Sequence, residues 1–194
     1  LRDVSTLAWK LEAVLRGRAG GALLDTYESE RSPHVHTFIE LAVKLGGIIQ
    51  ATDLDKARER DAKFKSGEPE IFEFPSPRLG PGVLHGDTAP VGQPFPQPML
   101  ADGQLLDAHI GNRFAVIGRP ALLGGASDEA RKLWQQSDVT VMAQQEPVLL
   151  DWLDSHDVLA IMLRPDRYIL GLARTSGELD AVTACLPVAD LQPH

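Results

Sequence analysis

Across the first 45 positions, apolar residues recur at steps of three and four. Val4, Leu7, Leu11, Val14 and Leu15 fall on one helical face. Gly17, Gly20 and Gly21 follow, so that helix is predicted to stop near Arg16. A second helix is predicted from about Ala22 to Arg31. Ser32 and Pro33 then read as an N-cap and a first-turn proline, opening a stripe of Val35, Phe38, Ile39, Ala42 and Leu45 that Gly46 and Gly47 close. Asp53 to Lys65 mixes both charge signs around Leu54, Ala57 and Phe64, the pattern of a short solvated helix or connector. Eight of the 14 prolines lie between Pro69 and Pro98. Proline fixes φ and lacks a donor, so this stretch is predicted to be neither helix nor central strand but an extended linker over a surface. A PxxP ligand is the lesser reading.

From Asp102 the pattern shortens. Phe114 to Gly118 is a continuous apolar run, as in a buried strand. Ser127 caps a helix that runs to about Gln136, with Asp128 and Glu129 in its first turn. Val139–Ala143 reads as a strand and Leu149 to about His156 as a helix. Val158–Leu163 and Tyr168–Ala173 form a hairpin around Arg164-Pro165-Asp166-Arg167, with proline suited to the second turn position. Thr175 and Glu178 make a capping box for a last helix ending by Pro187. The order βαβαββα is the thioredoxin arrangement. The predicted fold class is therefore α/β: a thioredoxin-like domain over 102–194, preceded by a helical arm over 1–50 and a charged, proline-rich connector over 51–101.

Composition is that of an ordinary globular chain, and a net charge of −8 with no basic patch argues against nucleic-acid or anionic-membrane partners. No apolar run approaches the roughly 20 residues that span a bilayer. The chain opens on Leu1 with no signal peptide, so a fragment and a cytoplasmic location are expected. Its single cysteine, Cys185, excludes an internal disulfide; beside Val182, Ala184 and Leu186 it reads as a small buried hydrophobe.

Candidate chemistry is thin. A redox thioredoxin needs a thiolate pair at the first helix of its domain, and Arg119-Pro120 with Gly124-Gly125 carries none. His34 and His36 would face apart on a helix, which favours a structural or interface role over metal. Arg16, Glu28, Glu30 and Arg31 suit ion pairs better than acid–base work, and Asp151, Asp154 and Asp157 suit a wet helix face. No catalytic set and no metal site is expected.

Arg2-Asp3, Leu7-Ala8-Trp9-Lys10-Leu11, Gly17-Arg18-Ala19-Gly20 and the string from Leu23 to Arg31 (LLDTYESER) with Pro33-His34 resemble one family. They are similar to the segment after the second flavin-binding motif of class A FAD-dependent aromatic hydroxylases, especially the 3-(3-hydroxyphenyl)propionate and phenol hydroxylase branch. Gly92-Gln93-Pro94, Leu105-Leu106-Asp107, Asn112–Gly118 and Leu163–Tyr168 match that branch's thioredoxin-like C-terminal domain in wording. The family's Gly-Asp motif, glycine-rich turn and GxGxxG are not in this sequence. The resemblance implies the C-terminal part of an enzyme that uses FAD, NAD(P)H and dioxygen on a phenolic ring. The catalytic residues would lie in a missing N-terminal FAD and substrate domain, the main partner. This part would serve as scaffold or homodimer contact and bind no cofactor itself. Arg2, nearest the absent turn, is the one weak candidate for a cofactor contact. A non-catalytic thioredoxin-like interaction module, or a hydroxylase of a larger polyketide-type aromatic, is the alternative.

Overall fold

A computed structural model describes residues 2–50, 53–67 and 78–188. Three helices come first: α1 (Arg2–Leu15), α2 (Ala22–Ile49) and α3 (Leu54–Ser66). The rest is α4 (Leu106–Ile110), β1 (Ala115–Gly118), α5 (Pro120–Gly124), α6 (Asp128–Gln136), β2 (Thr140–Ala143), α7 (Pro147–Ser155), β3 (Ala160–Leu163), β4 (Ile169–Ala173) and α8 (Ser176–Thr183). The four strands form a mixed sheet in the order β2-β1-β3-β4. β1 is parallel to β2 and antiparallel to β3, and β3 is antiparallel to β4.

The pleat sends alternate residues to two cores. Val116, Met162 and Leu170 face Trp134 of α6, Leu179 and Val182 of α8, and Trp9 of α1. Ala115, Ile117, Ile161 and Ile169 face Leu149 and Leu153 of α7 and Leu106 and Ile110 of α4. Covered on both sides, β1 is buried at every position, which is why its sequence is an unbroken apolar run. The caps follow the sequence. Ser127 Oγ accepts from Ala130 N at 3.1 Å, Thr175 Oγ1 from Glu178 N at 3.2 Å, and Glu178 Oε2 from Arg174 N at 2.6 Å. The short helices α4 and α5, with five residues each, have no periodicity to announce them.

The arm differs from expectation in two ways. First, α2 does not restart at Ser32-Pro33 or stop at Gly46; it is one helix of 28 residues with Pro33 inside. Proline removes the donor that Ser29 O would have used, and the connector docks against that turn. Gly80 N donates to Glu30 O at 2.9 Å, and Ser29 Oγ donates to Pro81 O at 2.7 Å. A Cβ on Gly80 would lie 2.1 Å from Ser29 O, so only glycine fits this approach. Second, α1 buries its apolar stripe only in part, with Leu7 and Val14 half-buried. Its buried residues are Thr6, Trp9, Lys10 and Ala13, while Val4 and Leu15 are 67% and 84% exposed and Leu11 is also open.

α3 is capped by Asp53 and buries nothing, as its charge pattern implies. Residues 78–98 contain neither helix nor strand and run along the free edge of β4. Gly92 N donates to Ile169 O at 2.8 Å, Ile169 N to Gln93 O at 2.9 Å and Phe95 N to Arg167 O at 2.8 Å. Residues 69–77 of the proline-rich stretch lie outside the described residues. Among the described residues no helix is long and apolar enough to cross a membrane.

Candidate functional site

Four charged side chains meet where the arm touches the sheet. Lys10 comes from α1, Glu30 from α2, and Arg164 and Asp166 from the tight turn between β3 and β4. All four side chains are at 0% exposure. Lys10 Nζ lies 2.8 Å from Glu30 Oε2, and the same oxygen accepts from Arg164 Nη2 at 2.8 Å. Arg164 grips Asp166 with two bonds, Nε to Oδ1 at 3.0 Å and Nη2 to Oδ2 at 2.8 Å. Asp166 Oδ2 also accepts from Trp9 Nε1 at 3.0 Å. The connector adds Val83 N, which donates to Glu30 Oε1 at 2.7 Å, and Lys10 also donates to the Thr26 hydroxyl. The Trp9 ring lies 5.2 Å from the Arg164 guanidinium, within cation–π range.

Two positive and two negative groups balance, which makes such deep burial tolerable. Burial raises the Asp166 carboxyl, but the Arg164 charge and the bonds from Arg164, Trp9 and Thr6 outweigh it and hold the group below its usual range. For Arg164, burial is likewise overcome by Asp166 and Glu30, and the guanidinium stays charged. Lys10 is the reverse: burial outweighs Glu30 and lowers it.

A second tier lies beside it on α2. Arg31 Nε donates to Asp3 Oδ1 at 2.7 Å and Nη1 to the Tyr168 hydroxyl at 3.2 Å. Arg31 Nη2 donates to His34 Nδ1 at 3.2 Å, which leaves the imidazole proton on Nε2, 3.5 Å from Tyr168 Oη. Burial, then the charges of Arg31 and Arg2, push His34 down to about 4, so it is neutral at pH 7. The turn that delivers Arg164, Asp166 and Tyr168 is closed by Arg167 N donating to Arg164 O at 3.0 Å, with Arg167 at φ +67°.

Lys10, Glu30, Arg164 and Asp166 are closed to solvent, and their arrangement fixes positions, whereas Asp3 of the second tier is half exposed. Lys10, Trp9, Arg164, Asp166 and Tyr168 were not singled out by sequence reasoning. The available signal was charge embedded in apolar strings, LAWKL and MLRPDRY. Glu30 and Arg31 are in ion pairs; Arg16 pairs with Glu12 at the surface (3.3 Å), and Glu28 is exposed. His36 pairs with Glu40 (3.2 Å) on the open side of α2, away from His34. No group of three or more metal-binding side chains occurs among the described residues. Asp151, Asp154 and Asp157 are exposed, and the last two pair with Arg119 and Arg174. Cys185 is half-buried rather than buried; its thiol is pushed up by burial and sits 3.5 Å from His85 Nδ1.

Residues 1–42 match the FAD binding domain family. The chain is 33% identical to a 3-(3-hydroxy-phenyl)propionate/3-hydroxycinnamic acid hydroxylase of Mycobacterium sp. (strain JLS), over 98% of the chain and 41% of that protein. It is 31% identical to a probable NADH-specific resorcinol 4-hydroxylase of Rhodococcus jostii (strain RHA1), over 100% of the chain and 40% of that protein. The chain is similar, over nearly its whole length, to part of the FAD-dependent aromatic hydroxylases. Its fold matches the flavin-dependent monooxygenase PieE, solved with FAD and substrate, with a TM-score of 0.67 at 24% identity over 95% of this chain and 42% of that one. The chain thus spans about two fifths of the length of the relatives it matches.

Arg2 is exposed at the start of α1, where its carbonyl accepts from Thr6 Oγ1 at 3.2 Å. A flavin dinucleotide needs a close backbone cradle for its pyrophosphate and a rim that tolerates negative charge. The groove beside Arg2 carries the carboxylates of Asp3 and Glu28 together with the guanidinium of Arg31 and the imidazole of His36, and none of its lining residues is a glycine.

Proposed function

We propose that this chain is the C-terminal portion of an FAD-dependent monooxygenase that uses NAD(P)H and dioxygen to hydroxylate a phenolic compound. The observation that carries the reading is identity above 30% to aromatic hydroxylases over nearly the whole chain. The exposed stripe of α1 supports it: Val4, Leu11 and Leu15 form an apolar ridge suited to packing on a flavin and substrate domain, and Ile39 and Val43 of α2 are open as well. Residues 1–50 are the arm that carries this ridge, 51–101 the connector, and 102–194 a thioredoxin-like domain without CxxC, serving as scaffold or homodimer contact in the cytoplasm. Arg2, at the exposed end of α1, is the residue of this chain nearest the cofactor.

The test is to express the protein together with its upstream coding region and follow NADH and NADPH oxidation with 3-(3-hydroxyphenyl)propionate and with resorcinol. Substrate-stimulated oxidation, with labelled dioxygen entering the product, is the expected result. A longer protein that carries no flavin, or oxidises neither nicotinamide with any phenol, removes the enzyme reading.

A further inference from the structure

The orientation of α1 runs against its own hydrophobicity. A helix on a protein surface turns its apolar stripe inward, yet Leu15 and Val4 face solvent while Lys10 and Thr6 are at 0% exposure. α1 reaches the core through Trp9, edge-on to Phe114 at 5.3 Å, and Ala13, with Val14 half-buried against it. What distinguishes this setting from others is charge. A shift of one helical turn would bring Leu7 or Val14 to the place of Lys10, and a half roll would bring in the stripe itself. Either change would put apolar residues of α1 against the core, though it would move Trp9 off Phe114. Either would leave Glu30 with one cation fewer and separate Trp9 from Asp166, at the cost of unpaired buried charge.

We infer that the Lys10–Glu30–Arg164–Asp166 cluster is a latch that sets the rotation of α1 and holds its apolar ridge outward. The β3–β4 turn thereby controls which face of the arm a partner meets. The latch works through fixed geometry: the bidentate Arg164–Asp166 grip is rigid, and Glu30 is held from three sides by Lys10, Arg164 and Val83 N. It does not depend on what covers the ridge, so it stands or falls apart from the enzyme reading.

The test uses the full chain in a Cys185→Ser background, with a reporter thiol introduced by Leu15→Cys in one protein and Ala13→Cys in another. Labelling by a charged disulfide reagent should be at least tenfold faster at position 15 than at position 13. In a latch-free background, with Lys10→Met, Glu30→Leu, Arg164→Met and Asp166→Leu together, the ratio should collapse towards one or invert while circular dichroism stays native. Should that background not fold, Glu30→Gln alone, which keeps an acceptor for Val83 N, should reduce the ratio at least threefold. A ratio unchanged in a folded latch-free chain, or in folded Glu30→Gln where only that variant folds, overturns the inference. Trp9 packing would then suffice to set the helix.

Discussion

The buried cluster is electrically balanced, so its sharpest test is to unbalance it. Asp166→Asn keeps the shape of the side chain and an acceptor for Trp9 Nε1, but leaves Lys10 and Arg164 facing Glu30 alone, one positive charge in excess at 0% exposure. Breaking a buried pair from one side costs about 3–5 kcal/mol, because the remaining charge stays desolvated. Unfolding entropy of roughly 2 cal/mol/K per residue gives about 0.4 kcal/mol/K for 194 residues. The midpoint of thermal unfolding should therefore fall by about 7 to 12 °C, read by calorimetry or by circular dichroism. Adding Lys10→Met restores neutrality and leaves the Arg164–Glu30 contact of 2.8 Å in place. The double variant should then be more stable than the sum of the two single losses by at least about 1 kcal/mol. A loss under about 1 kcal/mol for Asp166→Asn, the level of an exposed pair, refutes the reasoning, and so does strict additivity.

Other outcomes follow from the same structure. His34 has its pKa lowered to about 4 in the folded chain against an ordinary 6.5. Between those values the unfolded chain binds a proton that the folded one refuses, so stability is complete above pH 6.5 and falls as pH drops towards 4. The loss should reach about 3 kcal/mol, and His34→Asn should flatten that part of a denaturant-midpoint profile. Gly80→Ala puts a methyl group 2.1 Å from Ser29 O. It should cost about 2 kcal/mol or more through displacement of the connector from α2, seen as faster proteolysis around residues 78–83. Arg58→Ala on α3 removes only a pair with Asp55 exposed on both sides, and should change stability by less than about 0.5 kcal/mol. The isolated chain should leave gel filtration colourless; co-purifying FAD would mean that the groove beside Arg2 was misjudged.

What the sequence disclosed depended on the kind of signal each element carries. Strands β1, β3 and β4, the caps at Ser127 and Thr175 and the solvated α3 were legible because each rests on local chemistry: an apolar run, a side-chain acceptor, a dense charge pattern. Pro33 misled for the opposite reason. Its local meaning is a helix start, and the continuous α2 is supported by a connector some 50 residues away, through Gly80 and Pro81. Periodicity likewise identified the apolar stripe of α1 correctly but could not say which way it would face.

That last point decides how the arm should be understood. Hydrophobic burial is non-directional and would accept α1 in several rotations. Ion pairs and bidentate bonds are directional and accept one. The residues that choose among rotations are dispersed at positions 10, 30, 164 and 166, so no window of the sequence contains the choice. The strings that carry the family resemblance, LAWKL, LLDTYESER and LRPDRY, supply Trp9 and Lys10, Glu30 and Arg31, and Arg164, Asp166 and Tyr168 in turn. Read singly they are an amphipathic helix, a second helix and a turn. Folded together they are one contact, and its geometry explains why charged residues stand inside otherwise apolar phrases.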